Sequence, residues 1–233
     1  MEYKGISGDT LFLLAQNRFE NSRDFYESHK EEIKQGITIP LRVIAGSMNE
    51  LMFSIDEMMN LEPVKMVSRV RRDTRFTKDK HLYRDNLWVM FMRPKHEWYM
   101  YPCMWFEVRQ KCFSYGVGGF YMPPALLEIY RKHLIENEEE FVSALRSVRK
   151  TGAVFSGECY KKPKPGSPSP AVLPYYNVKS LYFSVTRTDF ETLETDRIIE
   201  DLKKAYKAFA PLYKFLLKVS DEYLANKEAD YEL

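Results

Sequence analysis

Cysteine is scarce in this chain. The three present, Cys103, Cys112 and Cys159, are odd in number and nowhere spaced C-x-x-C. That speaks against a disulfide scaffold and against a zinc site built on cysteine pairs, and it fits a reducing compartment. Long apolar runs are also missing. The N-terminal run Leu11 to Ala15 is too short for a signal-peptide core, and no stretch approaches the length of a membrane span. A cytoplasmic protein with no membrane partner is therefore expected. The four histidines, His29, His81, His96 and His133, show neither H-E-x-x-H nor H-x-H spacing, so no metal site is expected. No G-x-S-x-G elbow, phosphate-binding P-loop or dinucleotide fingerprint occurs, which leaves no cofactor to expect and no reaction to assign. Net charge is only +2, so the molecule as a whole is not a strongly basic nucleic-acid binder.

What is present is apolar and aromatic content in plenty. Of 233 residues, 45% are hydrophobic and 15% aromatic, enough to bury a sizeable core in one large domain spanning 1–233. Residues 1–60 read as helical. Asp9 can cap a first helix, Asn21-Ser22 a second, and a third starts near Pro40, with Leu41, Ile44, Ala45, Met48, Leu51, Met52 and Ile55 as its stripe. Gly46 inside that stripe costs about 1 kcal/mol of helix propensity and suggests close packing. Residues 64–187 read as a sheet region with two inserted helices. Its expected strands are Val64–Arg71, Leu87–Met92, Trp98–Val108, Lys111–Val117, Val154–Tyr160 and Val178–Arg187. Leu87–Met92, apolar on both faces, suits a central position. Helices follow Pro123-Pro124 and Glu138. The five prolines of 161–174 make a loop, and a helical hairpin or a helix kinked at Pro211 closes the chain over 190–225. Strands in the middle and helices at both ends predict an α+β fold: a mainly antiparallel sheet of about six strands.

Charge is concentrated in one place. Residues 65–95 hold ten Lys or Arg against three acids, interleaved with Phe76, Tyr83, Trp88 and Phe91. Within them runs RVRRDTRFTKDKHLYR at 69–84. This run resembles the signature R-I-N-R-D-T-R-F-S-K-D-K-S-P-Y-K of the bacterial and fungal family called domain of unknown function 2461. The matches are Arg69, Arg72, Asp73, Thr74, Arg75, Phe76, Lys78, Asp79, Lys80 and Tyr83; Arg71, His81-Leu82 and Arg84 depart from it. Asn21 to Lys30, GVGGFYMP at 116–123 and SGECYKKPKPG at 156–166 are similar to further parts of that family. The family carries no assigned activity, so the resemblance implies a fold and a candidate site only.

A forked guanidinium suits bidentate phosphate or carboxylate contacts, and lysine supplies a point charge. Arg69, Arg72, Arg75, Lys78, Lys80 and Tyr83 are accordingly the candidate ligand-binding residues for an anionic small molecule. Asp73 and Asp79 support them, Gly118 and Gly119 permit close backbone approach, and Lys161 and Lys162 stand on a proline-stiffened loop that could close over the site. The bland reading is that Asp73 and Asp79, placed between cations, make an ion-pair network pinning a loop in a non-enzymatic protein. A third reading is nucleic-acid binding through the basic strip and its aromatics, which the near-neutral total charge disfavours. His81 with Asp73 or Asp79 could act as acid and base beside an anion, against the plainer reading of an exposed loop histidine. Cys159 reads as a buried, inert thiol.

Overall fold

A computed structural model describes residues 2–94 and 100–231. Lys95, His96 and the first two residues of the expected Trp98–Val108 strand lie outside the described residues. The first helix, α1 (Gly8–Glu20), starts at Ser7, whose Oγ accepts the Thr10 N–H. Asp9 therefore sits in the first turn, where a carboxylate favours the positive helix end, and is not itself the cap. Asn21, in the left-handed conformation at φ 47°, ends α1, and Ser22 caps α2 (Arg23–Ile33).

No break separates α2 from the next helix. A π-helical turn, Lys34–Thr38, joins α2 to α3 (Ile39–Ser47), and the joining residues keep right-handed helical angles throughout. Pro40 therefore marks a change of hydrogen-bond pattern and not the start of a new rod. Its missing N–H removes one donor from the ladder, which the wider π turn accommodates. The close packing expected at Gly46 is absent: a methyl there would meet only the Pro63 ring, at 3.7 Å. Gly36 is the crowded position, because a Cβ would stand 2.5 Å from Thr10 Cγ2.

Two short helices follow, α4 (Asn49–Ile55) and α5 (Pro63–Met66). The strands are β1 (Asn86–Phe91), β2 (Cys103–Arg109), β3 (Phe113–Gly119), β4 (Val154–Phe155) and β5 (Leu181–Arg187). They form an open antiparallel sheet in the order β1-β2-β3-β5-β4. The fold is α+β, with five strands and not six. The stretch Val64–Arg71 accounts for the difference: its first turn is helical, and the rest is an extended arm that forms the isolated bridges Val67–Val89 and Arg71–Tyr83 and no strand of the sheet. β1 is an edge strand, not a central one. Leu87, Val89 and Phe91 are buried while Trp88 and Met90 stay half-exposed, the alternation of a one-sided strand.

The remaining helices are α6 (Pro124–Glu136), α7 (Glu138–Arg149), α8 (Leu173–Tyr176) and α9 (Arg197–Tyr231). α9 runs through Pro211 as one helix and not as a hairpin. The chain divides into two compact units. One holds 1–91, 105–115 and 186–204; the other holds 92–104, 116–185 and 205–233. In the first, Leu11, Leu14, Ile33, Ile37, Leu41 and Ile44 are fully buried. In the second, the Phe141 ring lies 5.1 Å from Phe215, 5.6 Å from Tyr175 and 6.4 Å from Tyr130, an aromatic core of edge-on and tilted pairs. No helix among the described residues is long and apolar enough to cross a membrane.

Candidate functional site

The basic segment is a loop on an extended base. Residues 67–72 run against 82–89, held by Ser68 N–H to Trp88 O at 2.9 Å, Arg84 N–H to Val70 O at 2.9 Å and Arg72 N–H to Leu82 O at 2.8 Å. Side chains alternate on such an arm. Arg69 and Arg71 are exposed, whereas Val70 is buried and Arg72 half-buried.

Residues 72–81 close on Asp79. Its Oδ2 accepts from Arg18 Nη2 at 2.8 Å and from Arg72 Nη1. Its Oδ1 accepts the His81 backbone N–H at 3.0 Å and faces His81 Nδ1 at 2.7 Å. Hydrogen bonds from Arg18 first, then from His81 and Arg72, hold the Asp79 carboxyl far below the usual carboxylate range. Arg18 comes from α1 and also donates to Tyr83 O at 3.0 Å; Asn21 Oδ1 accepts the Leu82 N–H at 2.7 Å. Arg75 grips Asp73 with Nε at 3.0 Å and Nη2 at 2.7 Å, and Lys80 donates to Thr74 O at 3.0 Å. The Arg75 side chain, with its backbone N–H, holds the Asp73 carboxyl down to about 2. Lys78 is exposed and has no partner among the described residues. Tyr83 is buried and stacks on Tyr26, with centroids 4.7 Å apart.

A cavity of about 510 Å³ lies in the same unit, lined by Tyr26, Lys30, Glu31, Lys34, Thr38, Arg42, Val64 and residues 67–71. Of the sequence candidates, only Arg69 lines it; Arg72, Arg75, Lys78, Lys80, Tyr83, Asp73 and Asp79 do not. Gly118 serves strand pairing, since a Cβ there would stand 2.1 Å from Leu181 O, and beside Gly119 the nearest atom is Met122 Cγ at 3.4 Å. Lys161 and Lys162 line a different cavity, inside the second unit, with Tyr160, Lys164 and Lys179. The Lys164 ammonium stands over the Tyr160 ring at 4.2 Å. Cys159 is exposed; the buried thiol is Cys103, which burial pushes up to about 12. No group of histidines, cysteines and carboxylates among the described residues could hold a metal.

Sequence reasoning missed Tyr26, Lys30, Lys34, Thr38 and Arg42. The signal was their spacing, four residues at every step. In a pure α-helix each such step overshoots the face by about 40°, or about 160° over four steps, which would carry Arg42 to the far side. The π turn takes more residues per turn and unwinds part of that drift, so all five reach one cavity. Two of its cations are occupied: Lys30 pairs with Glu27 at 2.5 Å and Lys34 with Glu31 at 3.1 Å. The guanidiniums of Arg42, Arg69 and Arg71 have no hydrogen-bond or ion-pair partner among the described residues, and the Nε of Arg42 is buried. Burial foremost, then the Glu27 and Tyr83 charges, raises the Tyr26 phenol above its ordinary value, against the pull of Lys30 and Arg71.

Fold and cavity together define an α+β protein with an open antiparallel sheet and a basic pocket floored by a continuous helical rod. The chain belongs to the family described as conserved hypothetical protein, DUF2461, whose model matches residues 9–215. Comparison with curated proteins gives no match.

Proposed function

We propose that the protein is a cytoplasmic domain that binds a phosphorylated or carboxylated small molecule in the cavity lined by Arg42, Arg69 and Arg71. The observation that carries this reading is that three arginines without a hydrogen-bond or ion-pair partner for their guanidiniums among the described residues line one concavity. Guanidinium forks match phosphate and carboxylate oxygens. The rest of the basic segment has a different part in this reading. Arg72, Arg75 and Lys80 spend their donors on Asp79, Asp73 and Thr74, and so frame the arm that presents Arg69 and Arg71.

The test is thermal unfolding against phosphate, sulfate, sugar phosphates, nucleotides, polycarboxylates and a short oligonucleotide. Wild type, Arg69→Gln and Arg75→Ala are run together. An anion at 100 times its dissociation constant adds about 2.7 kcal/mol of stability. The shift is expected in wild type and Arg75→Ala and lost in Arg69→Gln. A shift that survives Arg69→Gln, or no shift with any anion, overturns the reading.

The Asp79 hub favours a second reading, in which the segment is architecture and the protein an interaction partner without a small ligand. Under it no anion stabilises the fold, and Arg72→Ala, which strips Asp79 of a partner, lowers stability strongly.

A further inference from the structure

The lining of the cavity is not only cationic. Val64 and Val67 give it an apolar wall, and Tyr26 contributes an aromatic ring. Tyr83, buried and outside the cavity lining, stacks on Tyr26 and fixes that ring in place. We propose that the ligand is a phosphomonoester with a flat, aromatic body, the phosphate held by Arg42, Arg69 and Arg71 and the body laid on Tyr26 against the valines. This deepens the anion reading of the same cavity and rests on it.

The charge argues for phosphate over carboxylate. A carboxylate presents two oxygens in one plane, which one or two guanidinium forks saturate. Three unpartnered forks come here from two backbone segments, Arg42 from α3 and Arg69 and Arg71 from the extended arm. A phosphate dianion offers three peripheral oxygens in three directions and carries charge enough to answer them.

The walls argue for a flat body. Tyr26, backed by Tyr83, is a preformed stacking platform, and the valines close the space with branched, rigid side chains. A flexible polyol would leave this surface uncovered. Two hydroxyls can serve polar edges of such a body. Ser68 Oγ accepts the Trp88 N–H at 3.0 Å and keeps its own proton to donate, and the Thr38 hydroxyl, on the π turn, has no partner among the described residues. A volume of about 510 Å³ lies in the range of small-ligand sites.

Titration calorimetry of the full chain with inorganic phosphate, glycerol phosphate, phenyl phosphate and benzoate tests the proposal. Phenyl phosphate is expected to bind roughly ten-fold more tightly than glycerol phosphate, the worth of one aromatic stack, and benzoate more weakly than either phosphate ester. Tyr26→Leu, which keeps apolar volume against Tyr83, is expected to erase the ten-fold preference; Tyr26→Phe is expected to keep it. Equal affinity for phenyl and glycerol phosphate removes the flat body, and benzoate matching phenyl phosphate removes the phosphate, while the anion site itself survives both. Binding of none of the four probes removes the anion site and this proposal with it.

Discussion

Replacing Arg42 with methionine in the anion-free protein should make the fold more stable. Arg42 carries a buried Nε with no acceptor, and its neighbours in the cavity include the equally unpaired cations Arg69 and Arg71. Relief of one buried unsatisfied donor is worth about 1–3 kcal/mol. Methionine keeps the apolar stem against the same walls, and imperfect repacking returns up to about 1.5 kcal/mol of that gain. The expected net is about 1 kcal/mol, a rise in Tm of about 2–4 °C for a chain of this size. Urea unfolding in phosphate-free buffer reads it as a higher midpoint at constant slope. In saturating phosphate ester the order should reverse, because wild type gains ligand stabilisation and Arg42→Met does not. A variant that unfolds about 2 kcal/mol more easily in anion-free buffer, with its anion response intact, would refute this reasoning and make Arg42 a packing residue.

Asp79→Asn should lower the urea midpoint by more than Asp73→Asn, because it strips the half-buried Arg18 and Arg72 of their shared carboxylate whereas Asp73 faces one solvent-exposed arginine. Since the folded Asp79 carboxyl titrates below the unfolded one, its contribution is fully present above about pH 5 and is lost as pH falls toward the depressed folded value; Asp79→Asn should remove that part of the acid sensitivity in a pH series of urea melts. Gly118→Ala should destabilise by about 3 kcal/mol through backbone collision with Leu181 and Tyr182, while Gly46→Ala, whose methyl would make an ordinary contact with the Pro63 ring at 3.7 Å, should stabilise by about 1 kcal/mol; paired denaturation curves decide both. Gly36→Ala should cost about 1–2 kcal/mol net as overpacking against Thr10 outweighs the helix-propensity gain, and Thr10→Ala in the same chain should recover most of it; additive effects in that double-mutant cycle would count against the packing described.

Local patterns were enough for much of the fold. Apolar residues at helical spacing placed α6 and α7 after Pro123-Pro124 and Glu138, and the expected strands Trp98–Val108 and Lys111–Val117 overlap β2 and β3, whose turn is closed by Arg109 N–H to Cys112 O. The class followed, because alternation and 3.6-residue periodicity are properties of neighbouring residues. What failed were readings that depend on a distant partner. The alternation of Val64–Arg71 is the same whether the stretch joins the sheet or stands as an arm, and only the position of β1 and Tyr83 decided that it pairs at two points. The apolar run of β1 does not reveal that it lies at an edge. The continuity of the helical rod past Pro40 was hidden because a proline ordinarily marks a first turn.

The candidate site divides along the same line. By itself the sequence determined that charge gathers at 65–95 and that Arg69 and Arg71 share one face of an extended arm, since side chains alternate with a period of two. Only the tertiary structure decided what each face meets. Arg72 turns toward Asp79 and toward Arg18 of α1, far away in sequence, and its charge is answered there. Arg69 and Arg71 line a cavity whose other wall is a helical rod kept in register by a π turn, together with Arg42, and the one acid in that lining, Glu31, is paired with Lys34. A guanidinium's role is set by the carboxylate or empty space within about 4 Å of it, and that neighbour is a product of the whole fold.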